Sequence, residues 1–193
     1  MSVVTALRER PRGKVEVHLD GSPWRLVPAG AVVRAGLAVG RALDRETART
    51  LARELRRAEA LGVAGRALRY RDLSRRRLEE RLARHGARSD AQAGVLEALE
   101  RAGLVDDERL AARRAETLAE RGYGDAAIRF ALAGDGLAGE IVAEAVERLE
   151  PEADRARRLL ERHGGGPRAV RRLAARGFDP ATLEDALGFA DEA

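Results

Sequence analysis

One weak pattern occurs three times along this chain and constrains most of what it can fold into. It reads: a cap-like residue, two apolar positions four apart, a glycine four residues later, and then a second apolar helical pattern. The first copy is Ser74, Leu78, Leu82, Gly86, followed by Val95, Leu96 and Leu99. The second is Gly124, Ile128, Leu132, Gly136, followed by Val142, Val146 and Leu149. The third is Gly165, Ala169, Leu173, Gly177, followed by Leu183, Ala186 and Leu187. Self-similarity at this period is the signature of a repeat array, in which each unit buries its apolar face against its neighbours. Such an array offers a binding surface more readily than a reaction vessel.

The residues available for a core are mostly Leu, Ala and Val, because 45% of the 193 residues are apolar but only 3% are aromatic. No stretch approaches the roughly 18 apolar residues of a membrane span, and the apolar run near the N-terminus is too short for a secretory signal. The absence of cysteine removes disulfides and thiolate metal sites and fits a reducing cytoplasm. Lys14 is the sole lysine among 36 basic residues. The rest are arginines, whose planar fork suits carboxylates and phosphates. The net charge of +4 is unevenly spread: residues 41–88 carry 15 basic and 7 acidic side chains, whereas residues 89–161 carry 10 and 17. A basic segment followed by an acidic one favours an anionic partner for the first and a cationic or mixed one for the second. Solvation of outer helix faces accounts for many of the same charges.

The first 40 residues do not read as helical. Val15, Val17 and Leu19 alternate with polar positions, Asp20-Gly21 supplies a turn, and Trp24 and Leu26 alternate again. This predicts a β-hairpin, with Pro23 lengthening its turn and residues 3–7 adding a short strand. From Asp44 the signals become helical. Asp44 caps the first helical segment, which Gly62 and Gly65 are expected to interrupt. Ser74 caps the next, and Ser89 with Gln92 has the capping-box spacing. Asp106 or Asp107, Asp125 and Asp179 cap later ones, and Pro151, Pro167 and Pro180 suit first helical positions. His85-Gly86 and His163-Gly164 place a histidine beside a glycine terminator. The helices group in threes: about 55–70, 74–85 and 89–102; 107–121, 125–135 and 137–149; 152–163, 167–176 and 179–189. The expected fold is therefore mainly α, with tandem three-helix repeats forming an elongated curved array behind a small N-terminal β-hairpin. Its boundaries are 1–43 for the hairpin region, 44–103 for a leading helix with the first repeat, 104–150 for the second repeat and 151–193 for the third.

No catalytic motif stands out: there is no phosphate-binding GxxxxGK[ST], no GxGxxG after a strand and no GxSxG elbow. His18, His85 and His163 lie far apart, which argues against a metal site. The basic features say more. Arg75, Arg76 and Arg77 occupy a first helical turn, where the dipole disfavours cations, so they are candidates for an external anion together with Arg81. Arg168, Arg171, Arg172 and Arg176 recur in the corresponding helix of the third copy. These eight are the candidate partner- or DNA-binding residues. Asp106, Asp107 and Glu108 form a compact acidic cluster, read first as helix capping and second as a protein docking site. Phe178 is read as a core contact.

The ordered set of motifs resembles the RecX family, regulators of the RecA recombinase. The segment 15–26 with its LDG turn resembles the family's N-terminal hairpin, and Leu37-Ala-Val-Gly40 followed by Leu43-Asp44 resembles its lead into the first helix. Ala67-Leu68-Arg69-Tyr70, Leu73-Ser74, Leu78-Glu79-Glu80-Arg81-Leu82 and Gly86 resemble its first repeat. Gly103-Leu104-Val105-Asp106-Asp107-Glu108-Arg109-Leu110-Ala111 resembles its G-L-hydrophobic-D-D-E-R-F-A stretch, and Arg176-Gly177-Phe178 its terminal RGF. Leu110 stands where the family usually has Phe, and Gly124-Asp125 where Gly-Pro is common. The resemblance implies a cytoplasmic, monomeric protein without enzymatic activity, cofactor, metal or membrane contact. It implies binding to the RecA filament on single-stranded DNA, with direct DNA contact an open part of that. The filament's recombinase and ATPase activity would be inhibited, by blocked extension or promoted disassembly, in DNA repair, recombination and the SOS response. Two other readings stay open: a stand-alone Arg-rich helical DNA-binding protein, and a helical-repeat scaffold for another protein.

Overall fold

The structure is a computed structural model and describes residues 2–188. Among these, ten helices follow a small antiparallel sheet. The chain divides into two compact units: one contains the residues up to Arg71 together with Glu79–Ala102, the other Asp72–Leu78 together with the residues from Gly103 onward.

In the first unit, β1 (Ser2–Arg10), β2 (Lys14–Leu19) and β3 (Ser22–Pro28) pair antiparallel, and β4 (Ala42–Leu43) adds to β1, giving the order β3-β2-β1-β4. The hairpin expected from sequence is thus the middle of a four-stranded sheet. Its turn is shorter than Pro23 suggested. Asp20 and Gly21 both take positive φ, 49° and 84°, and Leu19 pairs directly with Ser22. Two such residues match the right-handed twist of the flanking strands. Pro23, which cannot donate to a ladder, lies on the edge strand β3, where a register shift opposite Val17 and His18 absorbs it. Asp20 is held by its carboxylate accepting from the Val3 amide at 2.9 Å, and this bond holds its carboxyl below the usual aspartate range.

One face of the sheet is dry. Val4, Val15, Val17 and Val27 pack with Ala31, Val32, Ala35, Leu37 and Leu51, the last five supplied by the short α1 (Ala29–Arg34), the segment after it and α2 (Arg45–Leu68). Asp44 caps α2 through the Thr47 amide at 2.7 Å, which also lowers its carboxyl pKa. The expected interruption at Gly62 and Gly65 does not occur: α2 runs unbroken for 24 residues. Each glycine costs a helix about 1 kcal/mol relative to alanine, but Ala60, Val63, Ala64 and Ala67 are buried around them, and α4 (Ser89–Arg101) packs along α2. Burial of that stripe outweighs the propensity. The cap of α4 also differs from expectation. Arg88 is the cap residue and Ser89 the first helical one. The Gln92 side-chain Nε2 reaches back past it, donating to the Ala87 carbonyl at 2.6 Å. The division between units falls inside α3 (Arg75–Arg84).

The second unit holds two helix trios, each around its own core. In the first, α5 (Asp107–Glu120), α6 (Asp125–Gly134) and α7 (Gly139–Glu147) enclose Ala111, Ala115, Leu118, Ile128, Leu132, Leu137, Val142, Ala145 and Val146. In the second, α8 (Glu152–His163), α9 (Pro167–Ala174) and α10 (Pro180–Gly188) enclose Ala156, Leu160, Ala169, Leu173, Phe178, Leu183 and Ala186. Phe178 is a core residue, as its sequence context suggested. Gly164 ends α8 in the left-handed region and Gly165 follows at positive φ. The cap of α9 is therefore Gly166, one residue later than the repeat pattern placed it. Pro151, expected as a first helical residue, is instead the cap of α8, and Glu152 is the first helical residue.

Candidate binding surface

The second helices of the repeats meet end to end within the second unit. At the end of α9 the carbonyls of Arg176 and Gly177 accept from the amides of Gly124 and Ala126, which open α6, at 2.9 and 3.2 Å. At the end of α6 the Asp135 carbonyl accepts from the Ser74 hydroxyl at 2.6 Å, and the Gly134 carbonyl accepts from the Arg77 guanidinium. The last carbonyls of one helix thus satisfy donors at the start of the next, which links α9, α6 and the first turn of α3 in series.

Acidic residues brace both joints. Asp107 accepts from the Arg75 amide at 2.8 Å. Glu152 holds two helix starts at once, accepting from the Asp125 amide at 2.6 Å and the Asp179 amide at 3.3 Å. Asp106 caps α5 through the Arg109 amide at 2.9 Å. Of the three acids singled out in sequence, Asp106 and Asp107 therefore have internal work. Glu108 is exposed and makes no hydrogen bond or ion pair with the described residues. Asp125 is not the cap of α6, a place taken by Gly124. Its carboxylate pairs with Arg155 and, at 3.6 Å, with Arg129.

Arg155 is the centre of the second joint, and sequence gave no sign of it. It is only 4% exposed. Its Nε donates to the Glu150 carbonyl and one Nη to the Tyr123 carbonyl, both at 3.0 Å. The other Nη meets the Asp125 carboxylate, and the guanidinium lies 5.8 Å from the Phe178 ring centroid. Its partners lie up to 32 residues away, so no local spacing announces it.

The predicted arginines separate into two groups. Arg75, Arg76 and Arg77 open α3 and take part in internal contacts. Arg77 reaches Gly134 and its amide meets the Ser74 hydroxyl cap. Arg81 lies farther along the same helix, in the first unit, and its carbonyl is engaged by His85. On α9, Arg176 is half-buried, donating to the Arg121 carbonyl at 2.9 Å with its guanidinium 5.6 Å from the Tyr123 ring. Arg168, Arg171 and Arg172 are exposed, with no ion pair or side-chain hydrogen bond among the described residues. Phe130, 81% exposed on α6, was missed in sequence because an aromatic in an apolar helix reads as core. Its offset of two residues from both Ile128 and Leu132 points it away from that core.

No family model matches the chain. It is 36% identical over 136 residues to the regulatory protein RecX of Chromohalobacter salexigens, covering 66% of this chain and 90% of that one. It is 35% identical over 140 residues to the same-named protein of Halorhodospira halophila, covering 67% and 87%. Two solved structures share the fold. A crystal structure of regulatory protein RecX has a TM-score of 0.79 at 19% identity, covering 96% of this chain and 100% of the other. RecX from Lactobacillus salivarius has a TM-score of 0.62 at 16% identity, covering 72% and 98%.

Proposed function

This chain belongs to the RecX family of regulatory proteins, and from that premise we propose that it binds the RecA filament on single-stranded DNA and restrains its recombinase activity and coupled ATP hydrolysis. It acts in the cytoplasm by occupying the filament, as a monomer and without chemistry of its own. The observation that supports this reading is the linked series of second helices, whose α9 carries three exposed arginines, Arg168, Arg171 and Arg172, with no ion pair or side-chain hydrogen bond among the described residues. Guanidinium groups left unpaired along one helix suit phosphates or acidic protein patches. Arg75, Arg76, Arg77 and Arg176 of the second unit belong to the same proposed surface, Arg81 on the first unit is a separate candidate, and of Asp106, Asp107 and Glu108 the exposed Glu108 is the one proposed to meet a basic patch.

RecA ATP hydrolysis on single-stranded DNA, measured while this protein is titrated, tests the reading. Inhibition well below one chain per RecA, not reversed by excess DNA, is the expected result. No effect from folded protein at saturation overturns it. A stand-alone DNA binder would instead lose its effect when DNA is added in excess and would weaken steeply with salt.

A further inference from the structure

We propose that the outer face of the N-terminal sheet binds single-stranded nucleic acid, with Trp24 as its stacking platform. The inner face is committed to the core through Val15, Val17 and Val27. Strand alternation then sends Leu26, Glu16 and Arg8, which stand in register across β3, β2 and β1, to the opposite face, with Lys14 and Arg10 beside them. Leu26, on that face, is 49% exposed, and Trp24, the unpaired extra residue of the register shift between Pro23 and Arg25 on the same edge strand, is 43% exposed. A bulge leaves its extra residue without a ladder partner, so the indole of Trp24 is an open aromatic surface beside Leu26, the size of a single base.

Charge decides the occupant. Arg8, Arg12 and Lys14 are exposed and have no ion pair or side-chain hydrogen bond among the described residues. The acid on this face, Glu16, is already held by Arg10 at 2.6 Å and by His18 at 3.1 Å. Glu9 falls on the other face by alternation. The rim thus fits a polyanion. Stacking on an indole needs a base whose face is free, which a single strand offers and a duplex does not. Pairing of β3 with a strand from another chain is disfavoured, because Pro23 and Pro28 remove donors at both ends of it.

The sequence provides the probe, since Trp24 is its one tryptophan. The intact protein is titrated at low salt with a dye-labelled oligo-dT, following dye anisotropy and tryptophan emission together. The expected result is saturable quenching that tracks the anisotropy, with Trp24→Ala weakening binding about 5- to 150-fold, the loss of one base–aromatic stack. Replacing Arg168, Arg171 and Arg172 by alanine is expected to leave the quenching intact, which separates this site from the surface proposed above. Binding without quenching, no binding, equal quenching by a duplex, or quenching lost in the triple variant each overturns the proposal.

Discussion

The two joints of the second unit are built on one plan and differ at its centre. Each places an acidic residue at the start of a repeat's first helix, Asp107 or Glu152, under the amide that opens a second helix, Arg75 or Asp125. Each sets the last carbonyls of one second helix against the start of the next. In the first joint the contact is made by a side chain, the Ser74 hydroxyl on the Asp135 carbonyl. In the second it is made by backbone, the Gly124 amide on the Arg176 carbonyl. Three residues after the bracing acid, the first joint has Leu110, packed on its core, and the second has the buried Arg155. A hydroxyl-mediated joint leaves room for a side chain. A backbone-mediated one does not: a Cβ on Gly124 would lie 2.2 Å from the Phe178 nitrogen and 2.3 Å from the Gly177 carbonyl.

The largest expected effect comes from Arg155→Ala, which strips partners from two carbonyls and a carboxylate in a buried site. Removing one side of a buried ion pair costs about 3–5 kcal/mol, so chemical denaturation should show the third repeat melting separately or the whole unit destabilised by that amount. A loss under 1 kcal/mol would mean that the joint is not held through its guanidinium. Next is Gly124→Ser, which copies the first joint's residue into the second. Overpacking of this kind costs about 1–3 kcal/mol or more where backbone must move, and the thermal midpoint should fall accordingly. The reciprocal Ser74→Gly should be mild, a few tenths of a kcal/mol for the cap plus about 1 kcal/mol for the lost hydrogen bond. Similar losses from both swaps would show that the two joints do not differ as described.

The smallest effect expected is on pH dependence. Asp20 and Asp44 in the first unit and Glu150 in the second have carboxyl groups held below their ordinary pKa, by the Val3 amide, the Thr47 amide and Arg158 respectively. A lowered folded pKa gives stability that is fully present above the ordinary carboxylate value and is lost as pH falls through the lowered one. Melting midpoints should therefore be flat near neutrality and decline only in acid. Asp44→Asn should flatten part of that decline.

Much of this fold was legible because it is local. The i, i+4 apolar pairs, the glycines after them and caps such as Asp44, Ser74 and Asp106 are all decided within one or two helical turns. The misreadings came where a local preference met a tertiary demand. Gly62 and Gly65 stay helical because their neighbours are buried, and Pro23 tolerates a tight turn because its strand lies at an edge with a register shift. Of the candidate surface, Arg168, Arg171 and Arg172 are exposed, whereas Arg176, which shares the helical spacing of Arg168 and Arg172, is half-buried against Arg121 and Tyr123. The internal acceptor of Arg77 lies 57 residues away, and the setting of Arg155 is equally remote from its own sequence neighbourhood. Neither carries a signature short enough to read.

The backbone joint also assigns an unusual duty to two amides. Gly124 and Ala126 belong to the middle repeat, yet their hydrogens are bonded to carbonyls of the last one. Their deuterium uptake will report opening of the last repeat even while α6 stays folded. A middle repeat that stays folded while its neighbour frays would announce this as fast exchange at these two positions within an otherwise protected helix.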